Sequence, residues 1–318
     1  MKPIRLSTYN VRYFGHETRG LASQDRTLNK VVKALVGLRG GTPDVLCFQE
    51  IDTLSLRADL GRSRRPTNGE AKKPQFQRFV EAFHAELQNI GADITYQAFY
   101  FPAHQYKLSR TRNFYTTGLA VLVHPSLEVL KTDYEQPHDI TCRRLERFAR
   151  WKQTRICAHV RLKQSTGGVI DLFNTHLSMP SFWTKDIWNY THRLGYGKNQ
   201  LEEAKNLVAR INAVRHPDSH VVLVGDFNSY PGSPVYEFLN SQPLLTDAFR
   251  LFHDYDPPRT RDFPTAGFAG LQLPIDYVFS SPNVEWVDFD GTHAYGLNGG
   301  SFHGLSDHVP LIGRGRFL

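Results

Sequence analysis

Residues 221–228 read Val-Val-Leu-Val-Gly-Asp-Phe-Asn. A short apolar run of this kind is typical of a strand that is buried in a protein core. Asp226 and Asn228 follow the run directly, although a hydrophobic strand does not need a carboxylate and an amide at its end. A plain strand-ending turn before Pro231-Gly232 is the simpler interpretation, and a polar functional site at the end of a core strand is the other.

The same arrangement recurs along the chain, because other apolar segments also run into polar residues. These segments are Ile4–Tyr9 before Asn10, Val45–Phe48 before Gln49-Glu50, Val169–Phe173 before Asn174-Thr175-His176, Ile275 before Asp276, and Ser306-Asp307-His308 before the last apolar run. Each residue has an ordinary explanation as a turn former, a solvated acid or a capping group. Their joint occurrence favours one site that is assembled from several strand ends.

The regular segments predict a layered α/β protein whose sheets pack on each other with helices outside. Strands are predicted at 4–11, 44–50, 95–101, 118–124, 155–162, 169–175, 221–225, 275–280 and 309–316, and helices at 23–38, 76–90 and 199–215. No repeat and no linker rich in Pro, Gly or Ser divides the chain. We therefore expect a single domain over residues 1–318.

Composition limits the class of protein. The 318 residues are 40% hydrophobic and 12% aromatic, which excludes a disordered chain. A net charge of +7 favours anionic partners. The three cysteines form no disulfide pattern and no Cys-x-x-Cys motif. The N-terminal residues lack the apolar core of a signal peptide and no run is long enough to span a bilayer, so we expect a cytoplasmic protein without membrane insertion.

The polar residue types indicate metal-assisted phosphate chemistry. Carboxylate and amide oxygens are ligands that Mg²⁺ prefers, together with water and substrate phosphate oxygens. Histidines beside carboxylates suit proton transfer or the stabilisation of developing charge.

Six short motifs, in this order, resemble those of the endonuclease/exonuclease/phosphatase family, which includes deoxyribonuclease I. They are Ser7-Thr8-Tyr9-Asn10-Val11-Arg12, Asp44-Val45-Leu46-Cys47-Phe48-Gln49-Glu50, Asn174-Thr175-His176-Leu177, Gly225-Asp226-Phe227-Asn228, Ile275-Asp276-Tyr277-Val278 and Leu305-Ser306-Asp307-His308. The resemblance covers nearly the whole chain. It implies a four-layer α/β sandwich, in which two mostly antiparallel β-sheets pack face to face with helices on both outer sides, and it implies a monomer.

The resemblance also implies a role for each strand-end residue. On the metal side, Glu50 would be the principal ligand, Asn10 would lie beside it, and Asp307 would be a further carboxylate. Mg²⁺ is the expected ion, with Mn²⁺ as a substitute.

On the catalytic side, Asp226 would activate a water and Asn228 would hold Asp226 and the phosphate. His308 would contact the scissile phosphate while Asp276 binds the far nitrogen of its ring. His176 would be the second active-site histidine, and its role as the acid for the leaving group is the least defined of these.

Arg12 and Asn174 are candidates for substrate binding. The guanidinium group of Arg12 could make a bidentate contact with the oxygens of a substrate phosphate. A salt bridge that closes the wall of the site explains Arg12 equally well.

The substrate class follows mainly from exclusion. Leu273-Pro274-Ile275-Asp276-Tyr277 stands where an inositol 5-phosphatase would carry Pro-Ala-Trp-x-Asp-Arg, and no membrane-inserting hydrophobic hairpin of the sphingomyelinase kind is present. Nucleic acid is therefore the leading partner, and a nuclease that cleaves phosphodiester bonds of DNA or RNA is the leading function. The alternative enzyme is a phosphatase or phosphodiesterase for a small molecule or a lipid headgroup. An inactive scaffold is disfavoured, because all eight metal-side and catalytic positions hold chemically competent residues. These are positions 10, 50, 176, 226, 228, 276, 307 and 308.

Two segments support a nucleic-acid partner. Thr53–Pro74 is basic and loop-like, and Ser178–Lys198 interleaves aromatic residues with cations, which suits base stacking beside a phosphate track. Further positive charge lies in the middle of the chain, at Arg110, Arg112, Arg143, Arg144, Arg147 and Arg150. A small satellite core that anchors the loop is an equally good explanation of the aromatic segment.

Overall fold

Two β-sheets pack face to face, and helices cover the outer side of each. The computed structural model describes residues 2–63, 71–109, 112–142, 153–179, 194–254, 263–268, 271–290, 294–296 and 300–317. The strands are β1 (Ile4–Asn10), β2 (Val45–Ile51), β3 (Gln97–Lys107), β4 (Asn113–Val123), β5 (Leu127–Thr132), β6 (His138–Asp139), β7 (Ile156–Gln164), β8 (Val169–His176), β9 (His220–Asp226), β10 (Thr246–Asp247), β11 (Ala266–Phe268), β12 (Leu271–Leu273), β13 (Asp276–Ser280), β14 (Val284–Phe289) and β15 (Leu311–Phe317). The α-helices are α1 (Asp25–Val36), α2 (Leu56–Leu60), α3 (Gln75–Asn89), α4 (Lys198–Val214), α5 (Pro234–Asn240) and α6 (Ala248–His253).

The strand order makes the sheets mixed but mostly antiparallel. The first sheet runs β14-β15-β1-β2-β4-β3, and the second runs β10-β13-β9-β8-β7-β5 with β6 beside β7. Among the described strands, the parallel pairs are β1 with β2 and β8 with β9. The predicted fold class is confirmed, with helices, sheet, sheet and helices as its four layers.

The alternation of side chains along each strand produces separate layers of core. Along β9, Val222 and Val224 pack between the sheets, whereas Val221 and Leu223 pack under the helices of the second sheet. This follows from the two-residue period of a strand, which sends neighbouring side chains to opposite faces. Both faces of β9 are covered, and this explains why its sequence is apolar without interruption.

The outer helices bury one stripe each. On the first sheet, Val31 and Leu35 of α1 and Phe79 and Phe83 of α3 join a core cluster with Phe48 of β2. On the second sheet, α4 and α5 bury apolar residues in the same way. Within the described residues, no helix is both long and apolar enough to cross a bilayer.

The interpretation of Thr53–Pro74 as a loop was wrong in part, because Leu56–Leu60 forms α2. Ser55 caps this helix by accepting a hydrogen bond from the backbone N–H of Ala58. A five-residue helix shows too little of the 3.6-residue period for a pattern to reveal it. The short helices α5 and α6 escaped prediction for the same reason, and the strands β5 and β14 were also not predicted. Residues 64–70 of this segment lie outside the described part of the chain.

Asp171 of β8 is fully buried and forms a polar network away from the cluster of strand-end residues. Its carboxylate accepts hydrogen bonds from His159 Nε2 at 2.6 Å, Arg161 Nε at 2.7 Å, the His216 backbone N–H at 2.6 Å and Ser219 Oγ at 2.5 Å. Burial alone would raise the pKa of Asp171, but these hydrogen bonds outweigh it and hold the pKa well below its usual range.

We expect Asp171→Ala to lower the free energy of unfolding by about 3–5 kcal/mol, because it leaves the Arg161 guanidinium half-buried without its partner. A depressed pKa in the folded state adds stability above the pKa of the unfolded chain, about 4, and this stability is lost as the pH falls toward the folded value. Urea unfolding at pH 7 and pH 4 should therefore show a smaller difference between wild type and variant at the lower pH. Exposed Asp218→Ala is the matched control, and an equal loss in both variants at pH 7 would contradict this role.

Candidate active site

The strand-end polar residues meet at one end of the space between the sheets. β1 and β2 are parallel, as are β8 and β9, so the carboxyl ends of each pair reach the same edge. Asn10, His176, Asp226 and Asp276 continue the alternation of the residues that pack between the sheets. The inner face of the sandwich is therefore apolar along its length and polar at this one end.

Glu50 reaches the site through an irregularity in β2. Regular alternation would turn Glu50 to the helix-covered face, where Leu46 and Phe48 lie. The pairing of β2 with β4 shifts register between Phe48 and Ile51, and Glu50 adopts a left-handed backbone with φ of 57°. Such a bulge redirects a side chain. The Glu50 carboxylate lies 3.5 Å from Asn10 Nδ2 and 4.0 Å from His176 Nε2.

Asp226 occupies the centre of the cluster. Its carboxylate accepts hydrogen bonds at 3.0 Å from Asn10 Nδ2 and from the backbone N–H of Asn228. His176 Nε2 lies 3.4 Å away and His308 Nε2 lies 3.7 Å away. Burial raises the pKa of Asp226, and the positive charge of His308 opposes this. A carboxylate held in this way has the basicity that a proton acceptor needs near neutral pH.

Asp276 fixes the ring of His308. The Nδ1 atom of His308 lies 2.8 Å from Asp276 Oδ2, so Nε2 faces Asp226. Burial alone would lower the pKa of His308, but the charges of Asp276 and Asp226 outweigh it and raise the pKa to about 10. His308 is therefore an imidazolium with its outer N–H directed into the site.

His176 has the opposite charge state. Burial, followed by the positive charges of Arg155 and His308, holds the pKa of His176 well below its usual range. The neutral ring can donate or accept one hydrogen bond, but it holds no spare proton for a leaving group. The two histidines of the site are thus separated into one charged and one neutral ring.

The residues around Glu50 fit a divalent cation. The Glu50 side chain is half-buried, with 20% of its surface exposed, its contacts among the described residues are long, and partial burial together with the charge of Asp307 raises its pKa. A bound cation would remove that penalty by favouring the charged carboxylate. Asp226, Asp276 and His308 also present ligand atoms within 4.8 Å of one another. Within the pair that the resemblance names, the side chain of Asn10 already donates from Nδ2 to Asp226 and accepts through Oδ1 from the Arg12 backbone N–H at 3.1 Å, so Glu50 is the better-placed ligand for a cation.

Arg12 and Asp307 pair with each other. Arg12 Nη1 lies 2.7 Å from Asp307 Oδ2, which is the salt bridge that was considered as the alternative for Arg12. The structure places Arg12 in this ion pair, and a contact between Arg12 and the substrate stays a prediction. A cation bound by Asp307 would have to share this carboxylate with Arg12.

Asn174 does not contact the open site. It is fully buried, its Oδ1 accepts from Gln49 Nε2 at 2.7 Å, and its Nδ2 donates to the carbonyl oxygens of Phe48 and Ala120 at 3.1 and 3.3 Å. The prediction that Asn174 binds substrate is therefore wrong, because the side chain has no free group to offer. It joins the two sheets directly beneath the site.

Asn228 holds Asp226 through its backbone and not through its side chain. Its Nδ2 donates to the carbonyl oxygen of Leu177 at 3.0 Å. Gln200 of α4, which sequence reasoning missed, donates to the carbonyl oxygens of Ser178 at 2.7 Å and of Asn228 at 3.0 Å. A single buried amide thus fixes the two loops that follow His176 and Asp226, and no sequence signal marks it apart from the stripe of the helix.

Arg155 is the second residue that sequence reasoning missed. It stands just before β7, is only 9% exposed, and lines a small cleft with Thr117, Gly118 and His176. Its Nε is buried and has no hydrogen-bond partner among the described residues. Among the described residues Arg155 makes no ion pair, although the charge of Glu50 acts on it, and a buried guanidinium of this kind is suited to bind a substrate anion. The signal available in the sequence was the position of Arg155 at the start of the strand that pairs with β8.

Where it is described, the basic segment is neutralised by carboxylates within it and close to it in the chain. Arg57 binds Asp52 at 3.0 Å and stacks over the ring of Tyr13, Lys72 binds Asp59 at 2.8 Å, and Lys73 binds Glu81 at 2.8 Å. These pairs weaken the prediction of a phosphate track. Most of the aromatic segment, residues 180–193, and Arg110, Arg143, Arg144, Arg147 and Arg150 lie outside the described residues.

Solved structures share this fold at low sequence identity. The catalytic domain of human Nocturnin with a bound sulfate anion aligns with a TM-score of 0.62 and 17% identity, over 100% of this chain and 94% of that one. ANGEL2, described as a 2′,3′-cyclic phosphatase, aligns with a TM-score of 0.63 and 16% identity, over 99% of this chain and 95% of that one. A mannosyl-6-phosphatase of Bacteroides thetaiotaomicron aligns with a TM-score of 0.59 and 14% identity, over 99% of this chain and 100% of that one.

The sequence comparison with curated proteins gave no match. The family model described as the endonuclease/exonuclease/phosphatase family matches residues 7–308, which include every strand-end residue from Asn10 to His308. Since this match spans nearly the whole sequence and the fold agrees with it, the chain belongs to the endonuclease/exonuclease/phosphatase family of phosphoester hydrolases.

Proposed function

We propose that this protein is a divalent-metal-dependent phosphodiesterase that cleaves DNA or RNA by in-line attack of a water activated by Asp226. The observation that carries the proposal is the convergence of a buried carboxylate, a charged His308, a neutral His176 and the carboxylate of Glu50 at one end of the sandwich. A phosphodiester is an anion that repels hydroxide. Its hydrolysis therefore needs groups that neutralise its charge, position a water and accept a proton.

Each residue of the cluster has its own role in the proposed reaction. Asp226 orients the water through one carboxylate oxygen and takes its proton, while Asn10 and the backbone N–H of Asn228 hold that carboxylate in place. The outer N–H of His308 donates to a phosphoryl oxygen, where negative charge grows during the reaction. A Mg²⁺ or Mn²⁺ ion on Glu50 and Asn10 would supply Lewis acidity toward the phosphoryl group.

The buried guanidinium of Arg155 supports a substrate that presents phosphate oxygens beside His176. The Nocturnin catalytic domain was solved with a bound sulfate anion, an oxyanion of similar shape to phosphate. Hydrolysis of a small phosphoester is the second candidate function. It is favoured by the internal ion pairs of the basic segment, which leave fewer free cations for a long polyanion.

A hydrolysis panel with Mg²⁺ separates the two candidates. It should include single- and double-stranded DNA and RNA, nucleoside 2′,3′-cyclic phosphates, a sugar phosphate and phospholipid headgroups. We expect cleavage of a polynucleotide that is abolished by EDTA and restored by Mg²⁺ or Mn²⁺. Intact polynucleotides beside a cleaved small phosphoester would replace the nuclease by the second candidate, and activity that survives EDTA would contradict metal dependence.

The rate should also fall on the acidic side of neutrality. Asp226 acts in its charged form, and because burial raises its pKa, the acid limb should lie above the ordinary value of about 4 for an aspartate. A profile of kcat/KM against pH with saturating Mg²⁺ measures this limb. An acid limb at or below about pH 4 would contradict the assignment of a buried base.

A further inference from the structure

A cavity of about 470 Å³ lies at the end of the sandwich opposite the active site. It is bounded by Lys2, Arg5 and Asp44, at the amino ends of β1 and β2, and by His124 and Arg314. Asn10 and Glu50 stand at the carboxyl ends of the same two strands. Five residues of extended strand separate Arg5 from Asn10, about 16 Å. The cavity is of the size that small ligands occupy in proteins, and it shares no residue with the catalytic cluster.

Two arginines face each other at this cavity. Arg5 of β1 and Arg314 of β15 are direct partners across the antiparallel pair, an arrangement of like charges that destabilises a sheet. Both side chains converge on Gly40, because a Cβ atom added there would lie 3.2 Å from Arg314 Nη2 and 3.3 Å from Arg5 Nη1. Arg5 is only 7% exposed, so this repulsion is poorly screened by water.

Nearby acids compensate this pair in part. Asp290 lies 3.6 Å from Arg5 Nη2, Arg5 Nη1 donates to the backbone carbonyl oxygen of Gly41, and Asp44 accepts from the backbone N–H of Arg5 at 2.8 Å. Asp288 stands opposite Arg314 in the sheet, yet within the described part of the chain the Arg314 side chain has no ion pair and no hydrogen bond. Among the charged residues that bound the cavity, the cations Lys2, Arg5 and Arg314 exceed the one acid, Asp44.

The opposite wall of the cavity is apolar. Ile90, at the end of α3, is 59% exposed, and Ile94 and Tyr96 continue the wall toward the first sheet. A ligand for this cavity must therefore combine an oxyanion for the guanidinium groups with an apolar or aromatic body for the wall.

We propose that this cavity is a second binding site, separate from the active site, for a small organic phosphate whose phosphate lies on Arg314 and Arg5 and whose body packs on Ile90, Ile94 and Tyr96. A dianionic phosphate offsets the two facing arginines, and a planar guanidinium group matches its oxygens. The proposal does not depend on the reaction that the active site performs.

Phenyl phosphate is the probe, with inorganic phosphate as the arm that lacks an apolar body. Isothermal titration is carried out in EDTA with the full chain carrying Arg155→Ala, which weakens phosphate binding at the active site. We expect phenyl phosphate to bind this protein at one site and more tightly than inorganic phosphate. Adding Arg314→Glu should weaken binding about tenfold or more, because it replaces a charge-assisted contact with a repulsive one.

Arg316→Glu is the matched control, since Arg316 lies two residues along β15 and pairs with exposed Glu285 at 3.1 Å. It should leave the affinity unchanged. If Arg314→Glu does not fold, Arg314→Gln removes the charge alone and should still weaken binding. Loss of all binding through Arg155→Ala alone, or equal affinity with and without the change at Arg314, would overturn the proposal.

Discussion

Asp226→Asn is expected to reduce the rate of phosphoester hydrolysis by about 10³-fold or more at neutral pH, because a positioned general base contributes about 10²–10⁴-fold. The amide of asparagine keeps the size of the side chain, and its one oxygen can still accept from the Asn228 backbone N–H, whereas the hydrogen bond from Asn10 Nδ2 to the other carboxylate oxygen is lost. It cannot take a proton from water. The chemical step should therefore fail while the surrounding loops stay in place.

Single-turnover rates with saturating Mg²⁺ measure this effect directly. Exposed Asp93→Asn makes the same chemical change away from the site and should behave as wild type. Thermal unfolding separates loss of chemistry from loss of fold. If Asp226→Asn kept more than about a tenth of the wild-type rate, the role of Asp226 as the base would be refuted.

Asp276→Asn should produce the second large effect, a fall in rate of about 10²–10³-fold at pH 8, because an uncharged partner no longer holds His308 as an imidazolium. The asparagine side chain can still accept from the Nδ1 atom, which lies 2.8 Å from the carboxylate in the wild type. The variant therefore removes charge and preserves orientation.

The pH profile distinguishes this role from a merely structural one. Asp276 and Asp226 raise the pKa of His308 to about 10, so the active imidazolium is present below that pH and is lost as the pH rises through it. In Asp276→Asn the basic limb of kcat/KM should move down toward the ordinary histidine value of about 6.5. A lower rate with an unchanged basic limb would show that Asp276 does not act through the charge of His308.

Glu50, on the metal side of the site, differs from Asp226 and Asp276 in its hydrogen-bond partners. Glu50 has no strong partner among the described residues, whereas Asp226 and Asp276 are each held by short hydrogen bonds. A half-buried carboxylate that makes only long contacts and lies beside another acid is the one whose charge depends most on an added cation. This difference in hydrogen bonding distinguishes the metal ligand Glu50 from Asp226 and Asp276, which act on protons, more clearly than residue type does.

Elements that follow a strong local pattern could be predicted from the amino-acid sequence alone. The apolar run before Asp226 fixes a buried strand, and the stripe of Leu28, Val31 and Leu35 fixes a helix, because alternation and helical spacing are written in neighbouring residues. The order of the motifs further identified the family and named the strand-end residues. Short elements such as α2 were missed, because one helical turn leaves no period to read.

The role of each of those residues depends on the three-dimensional packing of the chain. Asn10, His176 and Asp226 share a site because the parallel pairs bring their strand ends to one edge. Asp276 joins them as the antiparallel partner of Asp226 at the start of β13, and Glu50 joins them only through the bulge in β2. Asn174 looked equally functional in the sequence, yet packing between the sheets uses all of its hydrogen-bonding groups. Arg12, Arg155, Arg5 and Arg314 cannot be told apart by residue type. Whether a cation is paired, buried or opposed depends on partners that are distant in sequence, and local patterns carry no information about those partners.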